Sequence, residues 1–338
     1  MRRIMASLGM LIIIFAIMGC SNEQELGEVS DTRFLLDTFC SITIFAPDNE
    51  AALAEAALLL EEAFALLEYY ESLFSISIEG SDIWRINHAG GMPTAVSPET
   101  IEILEAGIVY GRLSRGLFDI TVGRLTSLWD FSGEAGLPSE PDLMQAVMTV
   151  DYQNIIIDGN TITLLNSETW IDLGGIAKGF ILDSLSKLMI ERGVLGAVID
   201  LGGDVAVVGE RGENRLWRLG VRHPFGGEFG LLGIIEIPEA ASITSGIYQR
   251  QFELDGISYH HILNPRTGMP TNSDIASATV IINSALVGDA LTSVIVQVGS
   301  ERAAELIAET PGVLGAILVL RSGEVVVIGD ISFELIES

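Results

Sequence analysis

The chain has 338 residues, of which 49% are hydrophobic, so it can bury a core as one large domain or as two small ones. Its 46 acidic and 18 basic residues give a formal net charge of −28 at pH 7. This charge argues against nucleic acid as a partner, because a phosphate backbone needs Lys and Arg to displace its counterions. A small phosphorylated ligand remains possible, since it needs only a few local donors.

The N-terminus has the order of a secretory signal. Two arginines precede the apolar run LGMLIIIFAIMG, which is shorter than the ~20 residues that a membrane span needs. The run leads into IMGC, which resembles a bacterial lipobox. We therefore predict a signal peptide over 1–20 and an exported protein, anchored to a bacterial membrane by lipid on Cys20. An ordinary signal with a chance cysteine is the alternative. The polar, acidic residues 21–33 are predicted to be a tether.

The first predicted elements of the mature chain are a strand and two helices. Residues 34–46 are rich in Phe, Ile and Thr and predict a strand, in which Cys40 is expected to be a buried small hydrophobe. The Ala/Leu/Glu pattern of 49–72 predicts a long helix. A second helix is predicted to start after Ser97, a natural N-cap, and to end at Gly116.

The rest of the chain predicts hairpins with helices between them. A hairpin over 154–165 is predicted to turn at Asp158-Gly159. The other predicted elements are strands at 197–208, 215–222, 232–238, 251–260 and 275–283, helices at 176–192, 285–298 and 300–309, and a hairpin turning at Ser322-Gly323. Strands arranged as hairpins favour an α+β fold with mostly antiparallel sheets and packed helices. No linker divides the mature chain, which predicts one domain over 34–338.

The sequence Ile-Asp-Leu-Gly-Gly occurs twice. In WIDLGGIAKG a strand is predicted to end at Asp172, and a helix begins after two glycines, with Lys178 in its first turn. Unpaired N–H groups at a helix N-terminus, together with a lysine, make a credible diphosphate site. A plain strand-to-helix turn is the alternative. If this turn is a diphosphate site, we expect removal of the Lys178 side chain to change the free energy of unfolding only slightly.

The second copy, VIDLGGDVAV, joins one strand to another. Asp200 is predicted to lie beside Asp172 if the two strands are neighbours. A simple structural turn is the competing interpretation for this copy, and it is the stronger one when the copy is considered alone.

Two further segments carry candidate chemical groups. In HHILNPRTG a strand would point His260 and His261 to opposite sides, so that one of them can face a site and act as a base near neutral pH. A polar turn with a surface histidine is the alternative. In GDALTS, Asp289, Thr292 and Ser293 would share one helix face, and their oxygens suit Mg²⁺. A helix start with an internal hydrogen bond is the alternative there.

Eight motifs resemble, in the same order, those of one family. They are LLDTFCSI, LFSISIEGSDIWRIN, GLFDITVGRLTSLWDF, IDLGGIAKGF, IDLGGDVAVVG, SITSGIYQR, HHILNPRTG and GDALTS. From about 34 to 330 the chain resembles the ApbE family of FAD:protein FMN transferases, which are often exported bacterial lipoproteins. The resemblance implies a single ApbE-like, T-fold-like domain.

The resemblance also implies a set of site residues. FAD would be held around Leu36, Ser77, Phe118, Asp119, Ile120, Asp172, Lys178 and Leu263. Mg²⁺ would be bound by the backbone oxygen of Gly175 and by Asp289 and Ser293, with Thr292 adjacent. His261 is the implied acid/base residue, and Asp289 is part of the catalytic set through the metal.

The implied reaction is Mg²⁺-dependent cleavage of FAD, with FMN passing through a phosphoester bond to a threonine of an exported flavoprotein. The acceptor motif of the family resembles Asp-Gly-x-Ser/Thr-Gly-Ala-Thr. Ser77 stands where the family has a Tyr near the isoalloxazine, and some treponemal relatives without that Tyr hydrolyse FAD to FMN and AMP. The chain also departs from the family at Leu36, Asp200 and Ser293, which replace Met, Asn and Thr. An FAD pyrophosphatase and a non-catalytic flavin-binding lipoprotein are the alternatives.

Overall fold

The computed structural model describes residues 26–131, 136–210, 216–227 and 230–336. The predicted signal peptide, Cys20 and the first part of the predicted tether lie outside these ranges. Within them, no helix combines the length and the apolar character that crossing a bilayer requires.

Antiparallel pairing builds all four sheets of the described chain. The strands are β1 (Leu26–Leu35), β2 (Thr38–Pro47), β3 (Thr94–Ala95), β4 (Ile155–Asp158), β5 (Thr161–Leu164), β6 (Gly196–Leu201), β7 (Asp204–Gly209), β8 (Trp217–Arg222), β9 (Leu231–Ile237), β10 (Ala240–Gly246), β11 (Gln251–Leu254), β12 (Ile257–His260), β13 (Ile275–Ile282), β14 (Val313–Leu320), β15 (Val325–Gly329) and β16 (Ser332–Leu335). The main sheet has the strand order β1-β2-β6-β7-β10-β13-β14-β15. Smaller sheets are formed by β16-β9-β8, β3-β5-β4 and β11-β12.

The main sheet is covered on both faces. The helices are α1 (Glu50–Phe74), α2 (Asp82–His88), α3 (Pro98–Leu113), α4 (Gly123–Thr126), α5 (Glu140–Val147), α6 (Ala177–Glu191), α7 (Ala285–Val298) and α8 (Ser300–Glu309), with a 3-10 turn at Tyr152–Asn154. Within β13, Val280 packs into the cluster that includes α1, α6 and α7, whereas Ile281 packs against the sheet β16-β9-β8. A strand covered on both faces needs apolar residues at successive positions, which explains the sequence IASATVII.

The α+β prediction is confirmed, and most predicted elements are present. Helices α7 and α8 have the predicted bounds, and the hairpin β4–β5 turns where expected. Residues 197–208 and 251–260 each form two strands rather than one, because Gly202-Gly203 and Asp255-Gly256 adopt positive φ and reverse the chain. Strands β3, β10 and β16 were not predicted from the sequence.

The predicted tether over 21–33 is wrong for residues 26–33. Residues 26–35 form β1, the edge strand of the main sheet, paired along its whole length with β2. Its side chains alternate between exposed and half-buried, and both faces carry polar residues, such as Ser30 on the exposed face and Asp31 on the other, so the composition resembles a linker. The predicted strand over 34–46 likewise contains a turn at Leu36-Asp37, where φ is 54° and 56°. Cys40 on β2 is fully buried, as predicted, and burial raises its pKa to about 12.

Helices α6 and α7 cross at a glycine. A Cβ added to Gly179 would lie 2.4 Å from the carbonyl oxygen of Ala285 and 2.8 Å from Cβ of Asp289, so the residue type sets how closely the helices approach. The crossing is fixed by Asp183 of α6, whose carboxylate accepts hydrogen bonds from Ser284 Oγ and from the backbone N–H of Ala285, both 2.7 Å long. Asp183 therefore caps α7.

We predict that Gly179→Ala lowers the free energy of unfolding by about 1–3 kcal/mol, because overpacking a backbone contact forces the helices apart. Lys187→Ala is the matched control, since Lys187 lies on the same helix with 76% of its side chain exposed. Urea titration followed by circular dichroism measures both variants. Equal midpoints for the two variants would show that the crossing tolerates a methyl group.

Candidate active site

The two Ile-Asp-Leu-Gly-Gly turns are joined by an ion pair. Lys178 in the first turn of α6 binds Oδ2 of Asp204, which directly follows the second turn. The other oxygen of Asp204, Oδ1, accepts the backbone N–H of Thr244 on β10 at 2.9 Å. Asp204 is 2% exposed, so Lys178 supplies the opposite charge that this buried carboxylate needs. The two turns therefore contribute to one site.

Asp289 of α7 is a second buried carboxylate near Lys178 and Asp204. It is 5% exposed, and its Oδ2 accepts the backbone N–H of Gly179 at 3.0 Å. Burial and then the charge of Asp204 raise the pKa of Asp289 to about 7, and Lys178 and the Gly179 N–H only partly oppose this. Burial lowers the pKa of Lys178, but the two carboxylates outweigh it and the pKa is raised. One lysine thus serves two carboxylates, which leaves the site short of positive charge.

Hydroxyl groups line the same helix face. Thr292 and Ser293 follow Asp289 by one turn, as predicted, and Ser245 of β10 approaches both of them. The Oγ of Ser245 lies 2.8 Å from Oγ1 of Thr292 and 3.5 Å from Oγ of Ser293. A Cβ added to Gly175 would lie 4.0 Å from Oγ of Ser293. The structure therefore brings together the predicted metal residues Gly175, Asp289, Thr292 and Ser293.

These donors fit Mg²⁺. In the ranges that the structure covers, no three His, Cys, Asp or Glu side chains lie close enough together to share one metal ion. One carboxylate with hydroxyl and carbonyl oxygens is instead a hard, oxygen-only donor set. The incompletely compensated charge of Asp289 is the feature that a divalent cation would neutralise.

The adjacent histidines face opposite ways, as predicted. His260 is buried and its Nε2 donates to the carbonyl oxygen of Thr271 at 3.0 Å. His261 is half-buried, and its Nδ1 lies 3.3 Å from the carbonyl oxygen of Arg250. A carbonyl can only accept, so Nδ1 carries the proton and Nε2 keeps a lone pair. Burial, together with the charges of Arg250, His260 and Lys178, lowers the pKa of His261 to about 4. His261 is therefore neutral at pH 7 and able to accept a proton.

Among the predicted flavin residues between 118 and 172, Asp119 and Asp172 make hydrogen bonds that stabilise the fold. The carboxylate of Asp119 accepts hydrogen bonds from Thr121 Oγ1 at 2.6 Å and from the backbone N–H of Tyr152 at 3.0 Å. Asp172 accepts from Thr126 Oγ1 at 2.7 Å and from the backbone N–H of Gly174 at 2.8 Å. Both carboxylates thus hold the loops in place. Ile120 is buried in the core, and Phe118 lies beside Gly175, where its Cε2 would be 3.3 Å from an added Cβ.

The remaining predicted flavin residues contact other parts of the fold. Leu36 occupies the β1–β2 turn, where its N–H donates to Oε1 of Glu71 at 2.7 Å. Ser77 is exposed in the loop after α1, and its N–H donates to Ser75 Oγ at 3.1 Å. Leu263 is buried beside Trp129 in a separate small cluster. No contact recorded between the described residues links Ser77 to the carboxylates.

Asp200 and Asp172 are not on neighbouring strands, which was the condition for their side chains to lie side by side. Asp200 is part of β6 in the main sheet, and its Oδ1 accepts the N–H of Gly203 at 2.7 Å within its own turn. Asp172 lies outside that sheet, where its N–H donates to the carbonyl oxygen of Ile120 at 2.8 Å. The residue of the second motif that reaches the site is Asp204, which the sequence analysis did not select. Ser245 was also missed, because β10 was not predicted.

This fold and site define a class: single α+β domains in which two glycine turns, a lysine and a helix carboxylate meet at one end of an antiparallel sheet. The sequence model of the ApbE family matches residues 36–318, and the chain belongs to that family.

Several members of the family are similar over most of their length. The chain is 28% identical to an FAD:protein FMN transferase of Treponema pallidum, covering 90% of this chain and 89% of the relative. It is 32% identical to one from Klebsiella pneumoniae over 72% of this chain and 77% of the relative. Among solved structures, the flavin transferase ApbE from Vibrio cholerae superposes with a TM-score of 0.77 at 25% identity, covering 92% of this chain and 97% of the other.

The expectation that Lys178 contributes little to folding is revised by its ion pair. We predict that Lys178→Met lowers the free energy of unfolding by about 3 kcal/mol, because it leaves the Asp204 carboxylate buried and unpaired. The double variant Lys178→Met/Asp204→Asn should regain part of that loss. Denaturant titration of wild type, both single variants and the double variant forms a complete thermodynamic cycle. Additive effects would contradict a direct interaction.

His260 should give a measurable pH dependence of stability. Burial and then Arg321 lower its pKa from 6.5 to about 4, opposed only by the bond to Thr271, so the unfolded state binds the extra proton between these pH values. Stability is therefore lost as pH falls through this window. Wild type should lose up to about 1.4 kcal/mol per pH unit more than His260→Gln. Parallel curves of unfolding free energy against pH for the two proteins would exclude this contribution.

Proposed function

We propose that the protein is an FAD:protein FMN transferase, which splits FAD at its diphosphate and attaches FMN to a threonine of an acceptor protein. The observation that carries the proposal is the arrangement of Lys178, Asp204 and Asp289 beside Gly175 and Ser293. Membership in the ApbE family, and the names of the relatives from Treponema pallidum and Klebsiella pneumoniae, support it.

The N-terminus of α6 is the proposed diphosphate site. Gly174 is exposed, and the partial positive charge of a helix N-terminus favours anions. Lys178 stands in the first turn with its ammonium held in place by Asp204, so it can contact phosphoryl oxygens without first being ordered. The negative charge that develops on the phosphoryl oxygens during the reaction would therefore lie next to donors whose positions are already fixed.

Mg²⁺ is the proposed metal, held by Asp289, Ser293 and the carbonyl oxygen of Gly175. When bound, it would neutralise charge on the diphosphate and polarise the phosphorus. Asp289 is already oriented by the Gly179 N–H, so the protein side of the site is ordered before any ligand arrives.

His261 is the proposed general base. Its Nε2 would take the proton of the acceptor threonine as the threonine oxygen bonds to the FMN phosphorus. The bond from that phosphorus to the bridging oxygen breaks, and AMP leaves. FAD is consumed as a substrate, and the electron count of the flavin is unchanged.

The test is incubation of the protein with FAD, Mg²⁺ and an exported flavoprotein domain carrying an Asp-Gly-x-Ser/Thr-Gly-Ala-Thr-like motif. Mass spectrometry should show FMN on the acceptor threonine, and chromatography should show one AMP per FMN attached. Free FMN and AMP without acceptor would instead support an FAD pyrophosphatase, which the exposed Ser77 in place of a stacking Tyr favours. Binding of FAD without any product would support a flavin-binding protein.

We predict that Asp289→Asn reduces FMN transfer by at least about 100-fold, because the amide keeps the shape but removes the charge that binds the cation. The fold should remain intact, since relieving a buried like-charge interaction with Asp204 is not destabilising. Transfer rates over a Mg²⁺ titration, with thermal unfolding as control, measure this. Normal rates at low Mg²⁺ would remove Asp289 from the metal site.

We also propose that the protein is exported and anchored through lipid on Cys20, on the basis of the lipobox-like sequence. Cys20→Ala should leave an unprocessed precursor that incorporates no radiolabelled palmitate, whereas Cys40→Ala should be processed normally. Lipid labelling of the Cys20 variant would contradict the anchor.

A further inference from the structure

Ser245 stands among the proposed metal residues but belongs to a different element. It lies on β10, on the sheet face that packs against α7, whereas Thr244 points to the other face and contacts Oγ1 of Thr279 at 2.8 Å. The proposed ligands Asp289 and Ser293 both come from α7. Ser245 is therefore the only hydroxyl that the described part of β10 directs at Thr292 and Ser293.

Ser245 and Thr292 have different roles in the hydrogen bond between them. The Oγ1 of Thr292 donates its single proton to the carbonyl oxygen of Asp289 at 3.1 Å. In its 2.8 Å contact with Ser245 it must therefore accept, and Ser245 must donate. Thr292 is fully buried, so its hydroxyl is committed to the helix and to Ser245.

These hydrogen-bond assignments leave the Oγ of Ser245 available to bind a metal ion. Its proton points to Thr292, so its lone pairs are directed away from Thr292. Ser245 is only half-buried and its Oγ lies 3.5 Å from that of Ser293, a proposed ligand. In its contact with Ser293 the Ser245 oxygen can only accept, which leaves it one further lone pair. An oxygen with a fixed proton and a free lone pair, beside a carboxylate and a second hydroxyl, is a suitable neutral donor for a hard cation.

We propose that Ser245 is a further oxygen ligand of the Mg²⁺ site and that Thr292 supports it rather than binding the metal itself. The inference rests on the proposed function, because it takes the metal site of that function as its starting point. It joins β10 to α7 at the metal, so both layers of the domain hold the ion.

Calorimetry on the full-length chain in detergent, with FAD present, provides the first test. Ser245→Ala should weaken Mg²⁺ binding by about 3- to 10-fold, the value of one neutral polar interaction. FAD affinity measured in EDTA should stay at the wild-type value. Thr279→Val is the matched control, because it removes a buried hydroxyl from the neighbouring strand outside the site, and it should bind Mg²⁺ normally.

A change of ligand chemistry provides the second test. In Ser245→Cys a soft sulfur replaces the hard oxygen, so the ratio of Cd²⁺ to Mg²⁺ affinity should rise at least about 10-fold over wild type. Thr292→Cys should change this ratio less, because its side chain faces the helix and Ser245. This readout needs no catalytic activity, and it reports on direct ligation rather than on folding.

The outcomes are distinct. If wild type binds Mg²⁺ in the presence of FAD but Ser245→Ala binds equally well, Ser245 is not a ligand and the proposed function stands. A larger rise in the ratio of Cd²⁺ to Mg²⁺ affinity in Thr292→Cys than in Ser245→Cys reverses the assignment and overturns the inference. If wild type with FAD binds no Mg²⁺ at all, the metal part of the proposed function fails, and this inference fails with it.

Discussion

The site depends on one lysine that is shared by two buried carboxylates. Asp204 and Asp289 come from different layers of the domain, one from the start of β7 and one from α7. Removing two carboxylates from water is costly unless opposite charge or hydrogen-bond donors compensate. Lys178, the Thr244 N–H and the Gly179 N–H are the compensation that the protein supplies. The close crossing at Gly179 is what allows one of these donors to reach Asp289.

This compensation is incomplete, and the shortage of positive charge would couple binding of the proposed metal to binding of FAD. A divalent cation would satisfy Asp289, and the negative diphosphate would in turn compensate the cation and Lys178. Each ligand therefore improves the site for the other, and by linkage the two coupling free energies must be equal. A single ordered polar site thus accounts for the proposed dependence on both partners.

Local sequence signals predicted local structure well. The apolar pattern of α7 and α8 gave correct helix bounds, and the strand–turn–helix around Lys178 is present. Signals that depend on contacts distant in sequence were not visible. Ser97 stands at the N-cap of α3 as predicted, but its side chain makes no cap hydrogen bond, and Asp82 accepts the Ser97 N–H instead.

The same limit applies to the site. Lys178 and the residues of GDALTS could be selected because charge and helical spacing are properties of short segments. The role of Asp204 could not, because it depends on contacts with residues 26 positions earlier and 40 positions later in the chain. Ser245 was not predicted as a site residue for a related reason. Strand β10 is recognised by its pairing with β7 and β13 rather than by its composition.

If the chain is anchored through lipid on Cys20, as proposed, the early start of β1 limits how far the site can lie from the membrane. Leu26 opens the strand six positions after Cys20, so a lipid-anchored chain would hold that end of the sheet within about 22 Å of the bilayer surface, even with the intervening residues fully extended. The β1–β2 turn at Leu36 lies about 33 Å further along the strand, and just after it the carbonyl oxygen of Phe39 accepts the N–H of Gly202 in the second glycine turn. The site would then sweep a hemisphere of radius about 55 Å around its anchor. Acceptor threonines would have to come to it within that radius, which favours acceptors that are themselves bound to the membrane.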